Sequence, residues 1–208
     1  PTFKGVSFAM LDEVGSVQWP CNDAVPEGTR LLHGKQFTRG KGEMVATPFR
    51  YAAELVRFVR ETQGADWHIE VAAYPEWHPQ AKSPRDDLAA FKRKVDAGAN
   101  SAITQYFYNV DAYLNFVDAV RKMGVDIPIV PGIMPIGSFS KLARFSDACG
   151  AELPRWMRKT FESYGDDTDA IRAFGLDVVT RLCEKLIAEG APGLHFYSMN
   201  MAGPTTEI

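Results

Sequence analysis

The chain has few cysteines and no long hydrophobic run, and each of these absences excludes a class of protein. Only Cys21, Cys149 and Cys183 occur among its 208 residues, an odd number at wide spacing. We therefore predict reduced thiols, with no disulfide framework, CxxC redox motif or thiolate metal site. No apolar run approaches the roughly 18 residues that span a bilayer, and no signal-peptide pattern is present. These features predict a cytoplasmic protein that has no membrane partner.

An excess of basic residues is also missing. The formal net charge is −3, with 24% charged and 46% hydrophobic residues, which is typical of a globular protein. Such a balance argues against nucleic acid as a partner. The four histidines are scattered without an i, i+4 pair, so no metal site is predicted. GxGxxG and Walker patterns are absent, so bound phosphate would have to be held by side chains and loops.

Strand-like and helix-like segments alternate along most of the chain. The helix-like segments are preceded by Thr47-Pro48, Ser83-Pro84, Asn109, Ser138, Pro154 and Asp166, and the strand-like segments are residues 30–34, 68–73, 102–107, 127–130 and 195–198. Strands that alternate with helices of ten or more residues favour an α/β fold with a parallel sheet. The length of 208 residues is at the short limit for a complete eight-stranded barrel.

The first 30 residues differ from the rest because they contain scattered glycine and proline and show little periodicity. We predict that residues 1–30 form a divergent or irregular N-terminal segment. The chain starts at Pro1 without an initiator methionine. We therefore expect a processed, trimmed or incomplete chain.

The most informative stretch covers residues 71–105. A short apolar run there ends in Tyr74-Pro75-Glu76-Trp77-His78-Pro79, which places an aromatic ring, an acid and an imidazole after a predicted strand. In parallel α/β folds, ligands bind at this carboxyl end of the strands. Ser83-Pro84-Arg85-Asp86 then predicts the beginning of a helix, with serine as N-cap and proline at the first position. We interpret the loop as functional; the alternative is a plain connection between two elements.

Several separated blocks of sequence resemble methylenetetrahydrofolate reductase of the bacterial type, a flavoenzyme built on a (β/α)8 barrel. Besides residues 71–105, the blocks are residues 102–108, 129–135, 145–150 and 193–200, and together they cover roughly residues 49–202. The resemblance implies an α/β fold of the (β/α)8 TIM-barrel family. Because only about five strand–helix units are visible, we expect an incomplete barrel, in which residues 31–208 are the carboxyl-terminal part.

The resemblance also implies FAD as cofactor and NADH or NADPH as reductant. Tyr74 and His78 suit stacking against, or hydrogen bonding to, an extended cofactor, and Arg93 and Lys94 suit phosphate oxygens. A solvated charged face is the alternative for Arg93 and Lys94. The flavin contacts implied by position are Tyr51, Ala52, Ala72, Tyr74, His78, Ala81, Asp87, Arg93 and Lys94.

A further implied flavin contact lies at Leu32-His33-Gly34-Lys35, which aligns with a Leu-Arg-Gly-Asp motif of the family. His33, Gly34 and Lys35 are therefore also cofactor candidates. The aspartate of that motif lies close to the flavin and the folate, so Lys35 would reverse the local charge. A lysine there would stabilise reduced flavin by on the order of 1–4 kcal/mol. We expect the folate step to slow as a result.

Three residues are implied substrate contacts: Gln105, Lys141 and Phe145. Gln105 matches a residue that contacts folate and nicotinamide in turn, and a neutral amide can both donate and accept. Phe145 matches an aromatic that stacks on the second substrate, although core packing explains a single phenylalanine equally well. The family's general acid is a glutamate on the first strand, where this chain has Ala9. No residue is therefore assigned to that role.

The activity implied by the resemblance is FAD-dependent reduction of 5,10-methylenetetrahydrofolate to 5-methyltetrahydrofolate by NAD(P)H, which feeds methionine synthesis. The implied partner is a small-molecule folate, and a homo-oligomer is expected. Two alternatives stay open. One is a catalytically silent fragment that binds flavin or nucleotide, and the other is an unrelated barrel lyase or hydrolase that uses Glu76 and His78 as acid and base.

Overall fold

The computed structural model of the chain describes residues 38–39, 43–44, 49, 51–200 and 202–208. The chain divides into two compact units, residues 1–72 with 90–101 and residues 73–89 with 102–208. The elements within the described ranges are β1 (Thr38–Arg39), β2 (Glu43–Met44), α1 (Ala52–Gln63), β3 (Glu70–Ala73), α2 (Pro84–Asp96), β4 (Ser101–Tyr106), α3 (Val110–Lys122), β5 (Ile129–Ile133), α4 (Phe139–Cys149), α5 (Arg155–Tyr164), α6 (Thr168–Ala188), β6 (His195–Phe196) and α7 (Ala202–Thr206). The predicted irregular segment 1–30 and the predicted strand 30–34 lie outside these ranges.

In the first unit, helix α1 begins later than the sequence pattern predicts. Its first residue is Ala52, after an extended Tyr51, and the predicted start at Thr47-Pro48 is wrong. The backbone N–H of Tyr51 donates to the Glu54 carboxylate at 3.4 Å, so an acid in the first turn satisfies this end of the helix. The buried residues of α1 are Leu55 and Val56, whereas Phe58 and Val59 are only half-buried.

Helix α2 begins as its sequence predicts. The Ser83 hydroxyl accepts from the backbone N–H of Asp86 at 3.2 Å and donates to the Asp86 carboxylate at 2.7 Å. After the helix, Gly98 adopts a φ of 115°, in a region that disfavours residues with a Cβ. In the first unit, Arg60 donates to the Gly98 carbonyl at 2.9 and 2.6 Å, which ties the end of α1 to this turn.

The second unit contains a parallel sheet in the order β4, β5, β6. Ala102 pairs with Ile129, and Gly132 pairs with His195. Strands β4 and β5 are almost wholly buried, as expected for parallel strands that helices cover on their faces. The predicted strand at residues 195–198 is shorter in the structure and ends at Phe196. The α/β class with a parallel sheet is confirmed.

Two helices of the second unit begin at a side-chain cap: the cap of α3 is the predicted Asn109, and that of α6 is Asp167, one residue after the predicted Asp166. The Asn109 side chain accepts from the N–H of Asp111, and the Asp167 side chain accepts from the N–H of Ala170. Helices α4, α5 and α6 share an aromatic cluster of Phe139, Phe161 and Phe174. None of the described helices has the length and apolar character needed to cross a membrane.

Candidate functional site

Hydrogen bonds to His78 hold the loop after β3 in a defined conformation. His78 is only 3% exposed, and its ring packs edge-on against Tyr74 with 4.7 Å between ring centroids. The backbone N–H of His78 donates to the Asp87 carboxylate at 3.2 Å, and the N–H of Gln80 donates to His78 Nδ1 at 3.1 Å. Because Nδ1 accepts in this arrangement, the neutral ring carries its proton on Nε2. Asp87 and His78 thus fix each other.

Trp77, which lies between Glu76 and His78, has a left-handed backbone conformation. Its φ is 57°, and its side chain is 56% exposed. A bulky residue rarely adopts this backbone conformation, which costs about 1–2 kcal/mol. The contacts of Glu76 and His78 on either side enforce it. Backbone strain of this kind is concentrated at functional loops.

Glu76 connects the same loop to the linker between α4 and α5. Its Oε2 accepts from the backbone N–H of Glu152 at 2.7 Å, while its Oε1 is buried and has no hydrogen-bond partner among the described residues. Pro79 contacts Gly150 so closely that a Cβ at Gly150 would overlap the proline ring. Burial is the main reason that the pKa of Glu76 is raised from its usual value near 4.5 to about 7. The hydrogen bond from the Glu152 N–H lowers this pKa, and repulsion by the Glu152 carboxylate raises it.

Replacing Glu76 with glutamine is expected to change how stability depends on pH. Because the folded pKa of Glu76 is raised, the folded chain binds more protons than the unfolded chain between pH 4.5 and 7. The free energy of unfolding therefore decreases as the pH rises through this window. Glu76→Gln keeps an acceptor for Glu152 and removes the titration. We expect the variant to be more stable than the parent above pH 7 by roughly 1–2 kcal/mol, after discounting for partial exposure. Urea unfolding between pH 5 and 8 measures the difference.

Glu152→Gln is the matched control, because it removes the neighbouring charge but leaves the buried carboxyl in place. It should reduce the pH dependence only slightly. Identical pH slopes for the parent chain and Glu76→Gln would show that the buried carboxyl is not the group responsible.

A polar and aromatic cluster lies where β4 ends. The Tyr106 hydroxyl is 2.8 Å from Ser146 Oγ and accepts from the Cys149 thiol at 3.3 Å. Burial raises the pKa of Tyr106 far above its usual value, and the hydrogen bond with Cys149 adds to this effect. The ring of Phe145 stacks on Tyr106 with 6.1 Å between centroids. Tyr106 therefore stays protonated and serves as a fixed wall at the carboxyl end of the sheet.

A cavity of about 890 Å³ lies beside this cluster, at the carboxyl ends of β5 and β6. The loop after β5, one face of α4, the first half of α6 and the segment of residues 199–208 that contains α7 form its walls. Apolar side chains dominate the lining, and the charged groups are Lys141, Arg144, Arg172 and Glu207. A cavity of this size, mostly apolar with a few charged groups, is typical of small-molecule sites.

Five of the predicted flavin contacts belong to the first unit. Tyr51 is exposed at the start of α1 and is followed by Ala52, the first helical residue. Ala72 is buried in β3, and its carbonyl accepts from Lys94 Nζ at 2.7 Å. Lys94 is 3% exposed, whereas its neighbour Arg93 is exposed. The sequence analysis assigns the same phosphate-binding role to Arg93 and Lys94, but in the structure Lys94 is buried and Arg93 is at the surface.

The remaining predicted site residues lie in the second unit or outside the described ranges. Ala81 donates its N–H to the His78 carbonyl at 2.9 Å, and Asp87 is buried. Gln105, near the end of β4, accepts from the N–H of Tyr106 at 3.0 Å. Lys141 and Phe145 both line the cavity, so the structure brings these two predicted substrate contacts together. His33, Gly34 and Lys35 fall outside the residues that the structure describes.

Sequence reasoning missed three residues that the structure makes prominent. The sequence analysis assigns Glu76 no role in flavin or folate binding, yet Glu76 anchors the loop that carries Tyr74 and His78. Arg144 and Arg172 were not singled out, although Arg144 is three residues after Lys141 and so lies on the same helical face. The described residues contain no group of three or more histidine, cysteine, aspartate or glutamate side chains that could hold a metal ion.

Comparison with known proteins identifies the family. The sequence model of methylenetetrahydrofolate reductase matches residues 30–208. The chain is 38% identical over 192 residues to 5,10-methylenetetrahydrofolate reductase of Escherichia coli (strain K12), covering 88% of this chain and 64% of that protein. It is 39% identical over 198 residues to the enzyme of Buchnera aphidicola subsp. Acyrthosiphon pisum, covering 90% and 67%. It is 38% identical over 162 residues to methylenetetrahydrofolate reductase (NADH) 1 of Arabidopsis thaliana, covering 74% and 27%.

A solved structure from Clostridium thermocellum, of a protein described as binding two copies of 5-methyl-5,6,7,8-tetrahydrofolic acid, aligns with a TM-score of 0.49. Its identity is 22%, and the alignment covers 67% of this chain and 49% of that one. The chain spans about two thirds of the length of its bacterial relatives and much less of the plant one. The family match extends over most of the sequence and rests on identities of 38% and above. The chain belongs to the methylenetetrahydrofolate reductase family.

Proposed function

We propose that this chain takes part in the FAD-dependent reduction of 5,10-methylenetetrahydrofolate to 5-methyltetrahydrofolate by NADH or NADPH, a step that supplies methionine synthesis. The observation that carries the proposal is the cavity at the carboxyl ends of β5 and β6, lined by Lys141 and Phe145 in a chain of this family. An aromatic ring beside a cation suits a ligand with a flat ring system and an anionic end.

Each proposed contact has a role that follows from its chemistry. Phe145 rests on Tyr106, which limits its motion and leaves it positioned to pack against a planar substrate ring. The Gln105 amide can donate to one substrate and accept from another. The elements that carry these side chains are helices and strands, which hold a ligand more firmly than loops do.

The residues proposed for the flavin fit a dinucleotide in their chemistry. Tyr74 and His78 offer an aromatic ring and a ring N–H, and the exposed Arg93 offers five donors for phosphate oxygens. Lys94 is buried and donates to the Ala72 carbonyl. We therefore assign it two roles, to hold the backbone of β3 in place and to supply a positive charge to the site. When bound, FAD supplies the hydride-carrying chemistry of the reaction. The chain's own residues bind and orient the reactants.

Replacing Arg93 with glutamine tests the proposed phosphate contact. Arg93 is exposed, so the substitution should leave folding intact while removing a charge-assisted hydrogen bond. We expect the affinity for FAD to fall roughly tenfold, equivalent to about 1.4 kcal/mol. Titration of the chain with FAD, followed by flavin absorbance or quenching of tryptophan fluorescence, measures the change.

Arg85→Gln provides the control, because Arg85 is exposed on the same helix and takes no part in the proposed site. Equal FAD affinity in both variants would remove Arg93 from the site. Formation of 5-methyltetrahydrofolate from NADH, FAD and 5,10-methylenetetrahydrofolate then tests the activity itself. Flavin binding without any product would favour the silent flavin-binding fragment, and absence of both would contradict the proposal.

A further inference from the structure

The loop after β3 is docked on the linker between α4 and α5 at two points. Oε2 of Glu76 accepts from the backbone N–H of Glu152 at 2.7 Å. Pro79 packs against Gly150 so closely that a Cβ at Gly150 would overlap the proline ring. Glu76 and Pro79 lie on either side of His78 in the sequence. The contacts with the linker therefore bracket this histidine.

The linker is itself held in place by buried residues. The backbone N–H of Ala151 donates to the Ser146 carbonyl at 3.2 Å, and Ser146 Oγ is 2.8 Å from the Tyr106 hydroxyl. Ser146 and Tyr106 are each 1% exposed, and Ala151 is buried as well. The surface on which the loop is docked thus has a fixed position relative to β4, and the loop takes its position from that surface.

Glu76 lies inside a turn that joins the two loop residues proposed for the dinucleotide. The N–H of Trp77 donates to the Tyr74 carbonyl at 3.2 Å, and Trp77 has a left-handed φ of 57°. The first and fourth residues of such a turn are less than about 7 Å apart. A left-handed conformation at a bulky residue persists only where its surroundings enforce it. Loss of the hydrogen bond that Glu76 accepts would therefore release Tyr74 and His78 together.

We propose that Glu76 is a positioning residue of the flavin site, which holds Tyr74 and His78 in place for the dinucleotide by docking their loop on the linker after α4. The inference rests on the proposed function, in which these two residues contact FAD. Glu76 acts through the loop and needs no contact with the cofactor. A ligand that binds only the docked loop has its apparent affinity reduced in proportion to the docked fraction.

The charge of the Glu76 carboxyl should control how firmly the loop is docked. Its Oε1 is buried without a hydrogen-bond partner among the described residues, which disfavours the ionised form. Burial raises the pKa of Glu76 in the docked loop to about 7, although the hydrogen bond from the Glu152 N–H lowers it. In an undocked, solvated loop the pKa would return to its usual value near 4.5. Docking should therefore weaken as the pH rises from about 4.5 to 7 and stay constant above that window.

Other titratable groups must be separated from Glu76 in a pH experiment. Among the described residues, those that pack around this part of the loop are Glu152 of the linker, Tyr106 of β4, Cys149 of α4, Asp87 of α2 and His78 of the loop itself. Tyr106 stays protonated throughout, because burial raises its pKa far above the usual value. All of these groups remain in Glu76→Gln, so the difference between this variant and the parent chain reports on Glu76.

Titration with FAD between pH 5 and 8 tests the role of Glu76. We expect the affinity of the parent chain to fall roughly fivefold more than that of Glu76→Gln over this range, because the glutamine keeps an acceptor for Glu152 but cannot ionise. Glu76→Ala removes the acceptor and should bind FAD roughly tenfold more weakly than Glu76→Gln at every pH. Glu152→Gln is the control: its backbone N–H remains, so its affinity should follow that of the parent chain.

Hydrogen exchange of the Glu152 amide, followed by NMR, reports on docking without a ligand. Its protection should be lost in Glu76→Ala and kept in Glu76→Gln and Glu152→Gln. Equal protection in the parent chain and Glu76→Ala, or equal FAD affinity in these two chains, would overturn the inference. Should Glu76→Ala not fold, the pH profile of Glu76→Gln decides, and a slope equal to that of the parent chain would count against Glu76.

Failure of the proposed function has a different signature. A parent chain that protects the Glu152 amide but binds no FAD at any pH would show that the loop is docked as described and that the chain is not a flavin-binding protein. The positioning role of Glu76 in a flavin site would then be wrong together with the proposed function, whereas loss of the dock alone would leave FAD binding in place.

Discussion

Substitution of Gly132 by alanine is expected to lower the free energy of unfolding by about 3 kcal/mol, a large loss for a single methyl group. Gly132 lies in β5, where it pairs with His195 of β6. A Cβ at this position would lie 2.6 Å from the Tyr197 ring and still closer to the backbone oxygen of Thr104. The ring could shift, but a backbone oxygen inside a parallel sheet cannot move without disturbing its strand.

The hydrogen bonds around Gly132 make relaxation costly. Its N–H donates to the Thr104 hydroxyl at 2.9 Å, and the Tyr197 hydroxyl donates to the Thr104 carbonyl at 2.8 Å. A methyl group would separate the strands and break one of these buried contacts, which leaves a polar group unsatisfied. Because β5 and β6 carry the cavity at their carboxyl ends, ligand binding should weaken together with stability.

Gly137→Ala is the matched control, because a Cβ there would meet no atom within 4 Å. Chemical unfolding of the two variants gives the comparison. A loss at Gly132 no larger than that at Gly137 would mean that the sheet accommodates the methyl group, contrary to the expectation.

Local signals in the sequence were sufficient for the helices that begin at a short polar side chain. The capping pattern at Ser83 and the N-cap at Asn109 each predicted a helix that the structure contains. In these cases one side chain satisfies the backbone N–H groups of the first turn, so no distant contact is needed. The parallel sheet was also predictable, because the alternation of strands and helices is repeated along the chain.

Where the prediction failed, contacts beyond the local sequence decide the structure. The start of α1 at Ala52 is an exception, because it is marked by a local hydrogen bond from the Tyr51 N–H to the Glu54 carboxylate, a weaker sequence signal than the threonine–proline pair before it. The early end of β6 at Phe196 could not be predicted either, because the end of a strand depends on its pairing with a distant strand, here β5, whose Ile133 carbonyl still accepts from the Tyr197 N–H at 2.8 Å. The predicted N-terminal segment and Lys35 lie outside the described residues, so those predictions stay open.

In the candidate site too, some features were predictable from the sequence and others depend on tertiary packing. The resemblance named Lys141 and Phe145, and the structure places both at one cavity. It could not show that Arg172, 27 positions beyond Phe145, reaches the same cavity, since that depends on how α6 packs. Nor could it show that Glu76 is buried with a carboxyl oxygen that lacks a partner among the described residues. Residue types can be read from the sequence, but burial and convergence depend on the tertiary fold.

Replacing Phe161 with alanine is expected to have the largest effect of all, a loss of about 3–5 kcal/mol in the free energy of unfolding. Phe161 is 1% exposed and fills the space between three helices. Its ring stacks on Phe139 of α4 at 5.0 Å and meets Phe174 of α6 edge-on at 4.9 Å, both measured between centroids. The substitution leaves a void that the surrounding rings cannot fill.

The substitution of Phe161 should also alter the geometry of the cavity, because α4 carries Lys141, Arg144 and Phe145 and α6 carries Arg172. Without the Phe161 ring these two helices lose a packing contact that they share, so we expect weaker ligand binding even in the fraction that stays folded. Phe161→Leu is the graded variant: it restores most of the volume and should recover most of the stability. Urea unfolding and titration with 5-methyltetrahydrofolate measure the two effects. Full affinity in a destabilised Phe161→Ala chain would show that the aromatic cluster supports the fold without setting the geometry of the cavity.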